Sequence, residues 1–389
     1  MFFVDEPYIS DLLKTTLRDN AIPVVATQVA RKLELLPGTN WISETRAVEL
    51  AHEPGDLLIY TSSENSIGWI TQHLGFSNLP EKIELFKNKA KFRELTRPLY
   101  PEFFFKEVRV EDLKDIRISE LPLPFVIKPT TGFFSMGVYK VSTHAEWSGT
   151  LADIQAEIRQ IKGLSPQEVL NINSFIIEEC IEGEEFALDA YLDQAGEPII
   201  LSIYRHTFSS AEDVGDRVYT TSKDIVEQNL AEFTTFVGEM GRLAGIRNFP
   251  VHIELRRVDD GSLLPIEVNP MRFGGWCTTA DMTSRAYGFN PYLYYYRGQK
   301  PDWPQLLAGK DGKLFSMIIL DNSTGVPSDQ ITSFDFDKLL ATFEKPLELR
   351  RIDHKKYHVF GFLFAETRTD NMGELEAILR SDLREYIST

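Results

Sequence analysis

The sequence predicts a mixed fold, with an α/β unit at the start of the chain and α+β structure after it. Three observations support this prediction. The 389 residues are too many for one ordinary core, so we expect two to three domains. The first third alternates strand and helix signals, as parallel α/β units do. The middle is richer in hairpins, and the tail from Phe315 has the pattern strand, helix, strand, strand, helix.

The first 85 residues predict a small parallel sheet with helices on both faces. Apolar or β-rich runs alternate there with segments of helical spacing, which is typical of βαβ connections. No G-x-G-x-x-G pattern follows the first strand, so a dinucleotide site is not expected. The expected strands are 2–4, 22–27 and 55–63, and the expected helices are 7–20 and 64–74.

The rest of the chain predicts longer elements. One helix is expected over 80–96, before a proline-marked break, and another over roughly 223–244. Strands bounded by turn residues lie between these helices. These strands are expected at 124–129, 136–141 and 175–181, followed by a hairpin around "QAGE".

Composition and charge exclude several classes of protein. The net charge of −17 argues against general nucleic-acid binding, which requires a basic surface. No apolar run approaches the ~20 residues of a membrane span, and the N-terminus lacks the basic region of a signal peptide. Cys180 and Cys277 form neither a disulfide framework nor a metal spacing. We therefore expect a cytoplasmic protein that binds neither nucleic acid nor membranes.

The hairpin at 249–275 places two acids where packing alone does not require them. Asp260-Gly261 is a strong two-residue turn signal between β-type runs. With these two as the loop, Glu254 lies directly opposite Glu267. The same register predicts three further pairs: Leu255 with Ile266, Ile253 with Val268, and His252 with Asn269.

Two carboxylates that face each other across a strand pair repel and destabilise it. A divalent cation between Glu254 and Glu267 would remove that penalty, and Asn269 adds a neutral oxygen on the same face. Such hard oxygen ligands suit Mg²⁺, which usually also takes phosphate oxygens of a substrate. The alternative is a solvated hairpin face with ordinary acids, stabilised by Arg256 and Arg257.

A second motif combines a lysine with a loop of glycine and hydroxyl residues. Lys128 ends a strand that is otherwise apolar, and a buried lysine needs an anionic partner. The backbone N–H groups and hydroxyls of the following loop can surround phosphate oxygens. The loop residues in question are Thr130, Thr131, Gly132, Ser135 and Gly137. The alternative is a hairpin loop beside a surface lysine.

The stretch "FIIEECIEGEEFALD" ends a strand with acids and a glycine. A strand edge of this kind can offer C=O and N–H groups to a purine ring, and a carboxylate a few residues on can accept from ribose hydroxyls. An acidic loop is the commoner explanation of the pattern. In isolation, Lys89 in "NKAKFRE" is an ordinary solvated helix charge.

Taken together and in this order, these stretches resemble the ATP-grasp superfamily, especially its carboxylate–amine and carboxylate–thiol ligases. The resemblance covers roughly 85–280, and its most specific element is "HIELRRVDDGSLLPIEVNPMRFGG", which is similar to the family's metal-binding hairpin. It implies an ATP-grasp fold in four parts. These are an N-terminal α/β pre-ATP-grasp domain (1–85), a small subdomain with the phosphate loop (86–174), a large subdomain with the metal hairpin (175–300) and a C-terminal α+β cap (301–389).

The resemblance also implies a role for each motif residue. Glu254, Glu267 and Asn269 would bind the metal, and Lys89, Lys128 and Ser135 would contact phosphates. Around the nucleoside, Glu178 would lie near the adenine amino group, Glu179 and Ile181 would offer backbone groups to adenine, and Glu185 would bind the ribose. Arg272 would face the substrate or a phosphate, and Arg205 would lie near the terminal phosphate. The two arginines would be the catalytic side chains.

The implied activity is ATP-dependent formation of an amide or peptide bond through an acyl phosphate, with release of ADP and phosphate. ATP and Mg²⁺, for which Mn²⁺ can substitute, are the implied cofactors. The implied partners are a small-molecule carboxylate, an amine and, as in many relatives, a second copy of the chain. Two alternatives stay open, an ATP-grasp phosphotransferase and a nucleotide-binding regulatory module without turnover. The sequence does not identify the carboxylate or the amine.

Overall fold

Three main sheets organise the protein. The structure, a computed structural model, describes residues 1–53, 57–132, 137–161, 171–208 and 215–389. Along the described chain, the sheets contain four, four and eight strands, and a two-stranded ribbon lies near the C-terminus. The expected mixture of a small parallel sheet with mainly antiparallel structure is confirmed.

The N-terminal sheet is parallel, with the strand order β3-β2-β1-β4. Its strands are β1 (Phe2–Phe3), β2 (Val24–Val25), β3 (Trp41–Ile42) and β4 (Tyr60–Thr61), and its helices are α1 (Asp11–Asp19), α2 (Glu44–His52) and α3 (Ile67–His73). The strands are shorter than expected, and the start of the third expected strand, at 55–56, lies outside the described residues. Residues that follow β4 lie where this sheet meets the rest of the protein.

The single helix expected over 80–96 is wrong. The segment forms two helices, α4 (Leu79–Lys87) and α5 (Lys89–Thr96). Asn88 separates them because it has an extended backbone and its side-chain oxygen accepts from the N–H groups of Ala90, at 3.0 Å, and Lys91, at 3.1 Å. This is a helix N-cap, a position that asparagine favours. The break places Lys89 at the first residue of α5.

The second sheet is antiparallel, with the order β5-β8-β6-β7. It comprises β5 (Phe105–Arg109), β6 (Phe125–Thr131), β7 (Tyr139–Val141) and β8 (Asn171–Glu179), with helix α6 (Trp147–Ile161). It has a core of its own, in which Phe125, Ile127 and Ile177 are fully buried. Because the apolar side chains of this core form a cluster separate from the main one, the sheet is a small unit of its own.

The third sheet has eight strands in the order β13-β12-β9-β10-β11-β14-β17-β16. Its elements up to the end of the predicted hairpin are β9 (Glu184–Leu192), β10 (Pro198–Thr207), β11 (Val218–Ser222), α7 (Lys223–Ala244), β12 (Phe249–Arg257) and β13 (Leu263–Pro270). Helix α7 covers one face, where Phe233 packs edge-on against Phe186 of β9. Its bounds match the expected helix over 223–244.

The remaining chain completes this sheet. Its elements are α8 (Thr278–Tyr287), α9 (Pro291–Arg297), α10 (Trp303–Leu307), β14 (Lys313–Asp321), β15 (Ser333–Phe334), α11 (Phe336–Leu340), β16 (Pro346–Arg351), α12 (His354–Tyr357), β17 (Val359–Arg368), α13 (Gly373–Arg380) and β18 (Ile387–Ser388). Helix α8 lies on the face opposite α7, where the hydroxyl of Tyr204 donates to the carbonyl of Thr279 at 2.8 Å. The segment expected as an α+β cap thus contributes β14, β16 and β17 to the large sheet.

Helices long and apolar enough to cross a bilayer do not occur within the described part of the chain.

Candidate active site

The two acids of the hairpin lie opposite each other, as predicted. Strands β12 and β13 pair Glu254 with Glu267, and the predicted pairs His252 with Asn269 and Ile253 with Val268 are confirmed as well. The pair Leu255 with Ile266 is wrong, because Leu255 pairs with Pro265. The predicted register therefore holds at the acids and fails nearer the turn.

Two deviations from ideal geometry explain this result. The turn has three loop residues instead of two, since the N–H of Val258 donates to the carbonyl of Ser262 at 3.0 Å and Gly261 takes a left-handed φ of 88°. The longer turn shifts the pairing by one residue. A bulge at Ile266 then shifts it back before the strands reach Glu267.

The acid pair, Glu254 and Glu267, lies on the sheet face opposite α7. Its side chains are 28% and 23% exposed, so they lie at a partly covered surface and not in bulk solvent. Burial and the charge of Glu267 raise the pKa of Glu254. Burial acts in the same direction on Glu267, but the positive charges of Lys89 and Lys128 outweigh it and lower the pKa of that carboxyl. The Nζ atom of Lys89 lies 3.2 Å from Glu267.

A buried histidine, His252, lies between the acid pair and a buried aspartate of the sheet. The Nδ1 atom of His252 lies 2.8 Å from Oδ1 of Asp189, and its Nε2 atom lies 3.6 Å from Oε1 of Glu254. Burial disfavours the charged ring, but the two carboxylates raise the pKa of His252 to about 9. The imidazole therefore stands between a buried aspartate and Glu254, close enough for its charged form to pair with both carboxylates.

The donor set fits a hard divalent cation. Glu254 and Glu267 repel each other, and the amide of Asn269 lies 3.1 Å from Glu267. Across the described ranges, no group of three or more His, Cys, Asp or Glu side chains could hold a metal by itself. Two carboxylates and an amide agree with Mg²⁺, which usually completes its shell with water and phosphate oxygens.

Lys128 is buried and lies beside an acid. The sequence predicted an anionic partner for a lysine at a strand end, but β6 continues to Thr131 and places Lys128 within the strand. Its Nζ atom is 2.5 Å from Oε1 of Glu178, and Nε of Arg93 is 2.8 Å from Oε2 of the same residue. Despite burial, these two cations lower the pKa of Glu178 to about 2. Both oxygens of Glu178 are therefore engaged by cations. Its expected contact with an adenine amino group stays a prediction.

Arg272 is held by an acid from the N-terminal unit. Its Nε and Nη2 atoms donate to Oε1 of Glu64, at 3.1 and 2.6 Å, and its Nη1 atom donates to the carbonyl of Phe273 at 2.9 Å. The other oxygen of Glu64 accepts from Lys87. Burial disfavours the charged carboxylate, but the two cations lower the pKa of Glu64 to about 2.

The expected adenine and ribose residues lie between the end of β8 and the start of β9, where the small unit joins the large sheet. The N–H of Glu179 donates to the carbonyl of Phe104 at 3.1 Å, and the carbonyl of Ile181 accepts from Arg256 at 2.5 Å. The carboxylate of Glu185 lies 2.9 Å from Nδ1 of His206 and 2.7 Å from Arg256. Their contacts with a nucleotide stay predictions.

The expected position of Arg205 does not agree with the structure. Arg205 pairs with Phe186, which faces α7, whereas Glu254 pairs with Ala187 on the other face. Arg205 therefore lies across the sheet from the acid pair, where its Nη1 atom is 3.3 Å from Glu184. A bulge between Ile200 and Ser202 is the physical reason, because it reverses the alternation of side chains along β10.

Ser135, expected in the phosphate loop, lies outside the described residues, as do Phe133, Phe134 and Met136. At the described ends of that loop, Thr130 and Thr131 are buried, and the N–H of Gly137 donates to Glu157 at 3.0 Å.

Sequence reasoning missed the partners of the predicted residues. These partners are Glu64, Lys87, Arg93, Asp189, His206, His252 as an ion-pair partner, and Arg256. A signal existed for some of them. Glu64 directly follows a predicted strand end, and His252 lies on the acid face in the predicted register. Arg93 has no local signal, because its acid lies 85 residues further along the chain.

A cavity of about 480 Å³ opens elsewhere, along α5 and β5, and Leu85, Glu94, Arg97 and Phe105 contribute to its lining. The predicted site residues do not line it. The candidate site therefore rests on its charged groups and not on the volume of a pocket.

Comparisons with known proteins bear on the domain and the fold of the chain. Residues 121–280 match the family model of the ATP-grasp domain. None of the curated protein sequences matches the chain. Several solved structures have similar folds. Their sequence identities to this chain are low, so the likeness concerns the fold alone.

Three of these structures span nearly the whole chain. An L-amino acid ligase from Bacillus licheniformis shares 19% identity at a TM-score of 0.66, over 99% of this chain and 97% of the other. The N5-carboxyaminoimidazole ribonucleotide synthetase from Thermotoga maritima shares 14% at 0.61, over 100% and 98%. The biotin carboxylase domain of the Hydrogenobacter thermophilus 2-oxoglutarate carboxylase, a dimer with MgADP, ADP and bicarbonate, shares 14% at 0.59, over 94% and 86%.

The matched family model identifies an ATP-grasp domain within this chain. Residues 121–280 carry that domain, and the fold of the whole chain is similar to those of the three solved structures. The resemblance and the fold class predicted from the sequence are thus confirmed.

Proposed function

We propose that the protein is an ATP-dependent carboxylate–amine ligase that forms an amide or peptide bond and releases ADP and phosphate. The observation that carries this proposal is the acid pair, since Glu254 and Glu267 face each other beside Lys89 at a partly covered surface. Opposed carboxylates with adjacent lysines suit a cation that carries nucleotide phosphates. The three similar structures include an amino acid ligase and two other enzymes that act on small molecules.

The carboxylate must first be activated, because direct attack by an amine would have to expel an oxide ion, which is a poor leaving group. In the proposed first step, a carboxylate oxygen of the substrate attacks the terminal phosphorus of ATP, and ADP leaves. The amine then attacks the carbonyl carbon of the acyl phosphate, phosphate leaves, and the nitrogen loses a proton. The protein would contribute orientation and charge compensation to both steps.

Glu254, Glu267 and Asn269 would hold Mg²⁺, or Mn²⁺ in its place, and the bound cation would lower the repulsion between the phosphates and the incoming carboxylate. Lys89 and Lys128 would bind phosphate oxygens directly. The backbone at Glu179 and Ile181 would accept the adenine, near Glu178, and Glu185 would bind the ribose. Arg272 would hold the substrate carboxylate or the acyl phosphate. Ser135 stays a proposed phosphate contact.

The proposed partners are a small carboxylate, an amine and a second copy of the chain. The dimeric biotin carboxylase domain supports the last of these, and light scattering on the purified protein tests it. We propose a cytoplasmic location and no binding of nucleic acid, which the net charge of −17 supports. The four-part division of the chain stays a proposal.

The experiment measures ADP release from MgATP with mixtures of L-amino acids, which supply both a carboxylate and an amine, and with small carboxylates that lack an amino group, the latter with and without an added amine. A ligase requires both a carboxylate and an amine for turnover. ADP release without any amine would instead indicate a phosphotransferase. Nucleotide binding without ADP release under every condition would indicate a regulatory module, and either result would overturn the proposal.

Two variants test the site itself. Glu267→Gln should abolish turnover and leave the fold intact, because the amide lacks the charge that a cation requires. Lys128→Ala should mainly weaken nucleotide binding. The controls are Glu120→Gln and Lys106→Ala, whose parent side chains are exposed. Unchanged turnover in the first variant would refute the metal role, and equal ATP affinity in the second would refute the phosphate contact.

A further inference from the structure

We propose that Glu64, in the N-terminal unit, is a positioning residue that sets the orientation of Arg272, so that the site is complete only when that unit is docked. This inference rests on the proposed function, in which Arg272 contacts the substrate. It concerns a side chain that precedes the matched domain of residues 121–280 and lies 208 positions before Arg272.

Backbone contacts dock β4 directly against the residues that flank Arg272. The N–H of Thr61 donates to the carbonyl of Met271 at 2.8 Å, and the Thr61 hydroxyl approaches the same oxygen at 3.2 Å. On the other side, the N–H of Phe273 lies 3.5 Å from the hydroxyl of Tyr60. Met271 has a left-handed φ of 68°, a conformation that costs a non-glycine residue free energy and therefore persists only where the surroundings hold it. The N-terminal sheet supplies those surroundings.

Glu64 then fixes the side chain of Arg272. A guanidinium has five N–H groups. In the described part of the chain, Glu64 and Phe273 together accept three hydrogen bonds from it. One N–H group on Nη1 and one on Nη2 are not used by these three hydrogen bonds. Two parallel N–H groups match the two oxygens of a carboxylate or a phosphate.

The charges around Glu64 also favour an anionic ligand. Glu64 is a single anion between two cations, Lys87 and Arg272, and the three side chains are only 9%, 4% and 13% exposed. These three side chains alone carry one positive charge in excess. The charges of Glu254 and Glu267 also act on Arg272, but in the proposed function a bound cation would occupy those two carboxylates and leave the excess in need of compensation. A substrate carboxylate bound by Arg272 would supply it. Lys87 thereby prevents Glu64 from neutralising the arginine completely.

A double-mutant cycle tests whether Glu64 acts through Arg272. The variants are Glu64→Gln, Arg272→Met and the combination, with Lys91→Gln as a control for an exposed helix lysine. The measurement is ADP release from MgATP with an equimolar mixture of the twenty proteinogenic L-amino acids. We expect Glu64→Gln to lower kcat/KM for the mixture about 10- to 100-fold, as outer partners of functional groups do. ADP affinity, measured by calorimetry, should stay within about twofold of the wild-type value.

Non-additivity decides the outcome. We expect Glu64→Gln to have no further effect once Arg272 is replaced by methionine, whereas multiplicative losses would overturn the proposal because Glu64 would then act independently. A loss of ADP affinity equal to the loss of kcat/KM would also overturn it, since general unfolding of the site would explain both. If Glu64→Gln does not fold, Glu64→Asp replaces it in the cycle, because aspartate keeps the charge and only shortens the reach.

A structural measurement separates this inference from the proposed function. Crystal structures of the wild type and of Glu64→Gln compare the position of the Arg272 guanidinium without any assay of turnover. A displacement of about 1 Å or more supports the positioning role, since a shift of this size is enough to impair catalysis. An unchanged guanidinium overturns it. Absence of ADP release by the wild type would contradict the ligase proposal alone.

Discussion

Replacing Glu178 with glutamine should destabilise the protein strongly, because Glu178 is the buried anion that Lys128 and Arg93 share. Its pKa falls from 4.5 to about 2 in the folded protein. At about 1.4 kcal/mol per pKa unit, the charged form stabilises the fold by roughly 3 kcal/mol relative to the neutral form. A glutamine side chain is neutral at every pH, so Glu178→Gln should lower the free energy of unfolding by that amount, within the range for breaking a buried ion pair.

Urea denaturation followed by circular dichroism measures this change between pH 7 and pH 3. Because the folded pKa of Glu178 lies below its usual value, its contribution is complete above pH 4.5 and is lost as the pH falls toward 2. The difference between wild type and variant should therefore shrink on acidification. Glu120→Gln is the matched control, since Glu120 pairs with Arg117 at an exposed surface and should cost under about 1 kcal/mol. A loss at pH 7 no larger than that of the control would refute the reasoning.

Three further predictions concern the site. In thermal melts, ADP should raise the melting temperature of the wild type further when Mg²⁺ is present, but not that of Glu254→Gln, since a ligand stabilises only the state that binds it. An equal increase in both proteins would contradict the metal role. Arg205→Ala should leave ADP affinity within about twofold of the wild type, because Arg205 lies across the sheet from the acid pair; a larger loss by calorimetry would contradict that placement. His252→Gln should weaken Mg²⁺ binding about 10-fold, as loss of a residue that contacts a metal ligand does. It should change the melting temperature of the metal-free protein less than Glu178→Gln does. Unchanged Mg²⁺ affinity by calorimetry would count against the orienting role of His252.

Local patterns were sufficient to predict the elements that carry most of the site. The turn signal and the alternation of the hairpin placed Glu254 opposite Glu267, and the structure has that pair although the turn is longer than expected. The charge of Lys128 in an otherwise apolar strand similarly indicated that this lysine would need an anionic partner. In both examples the signal lies within a few residues, where strand periodicity fixes the direction of each side chain.

The sequence could not predict the ion-pair partners, because they depend on how distant segments pack. Arg93 reaches Glu178, and Glu64 reaches Arg272, only after the sheets have assembled. The position of Arg205 depended on a different feature. Counting alternate residues along β10 from Ile199 would place Arg205 on the acid face, but the bulge before Ser202 reverses the count. A bulge of this kind has no reliable local signal.

The continuity of the large sheet determines how the protein can be divided for study. A recombinant fragment limited to 121–280 would retain the acid hairpin but would lose β14, which pairs with β11 along five residues. The unpaired edge of β11 would then invite association between copies of the fragment. Any truncated version meant for crystallisation or NMR should therefore extend at least through Arg368, the last residue of β17.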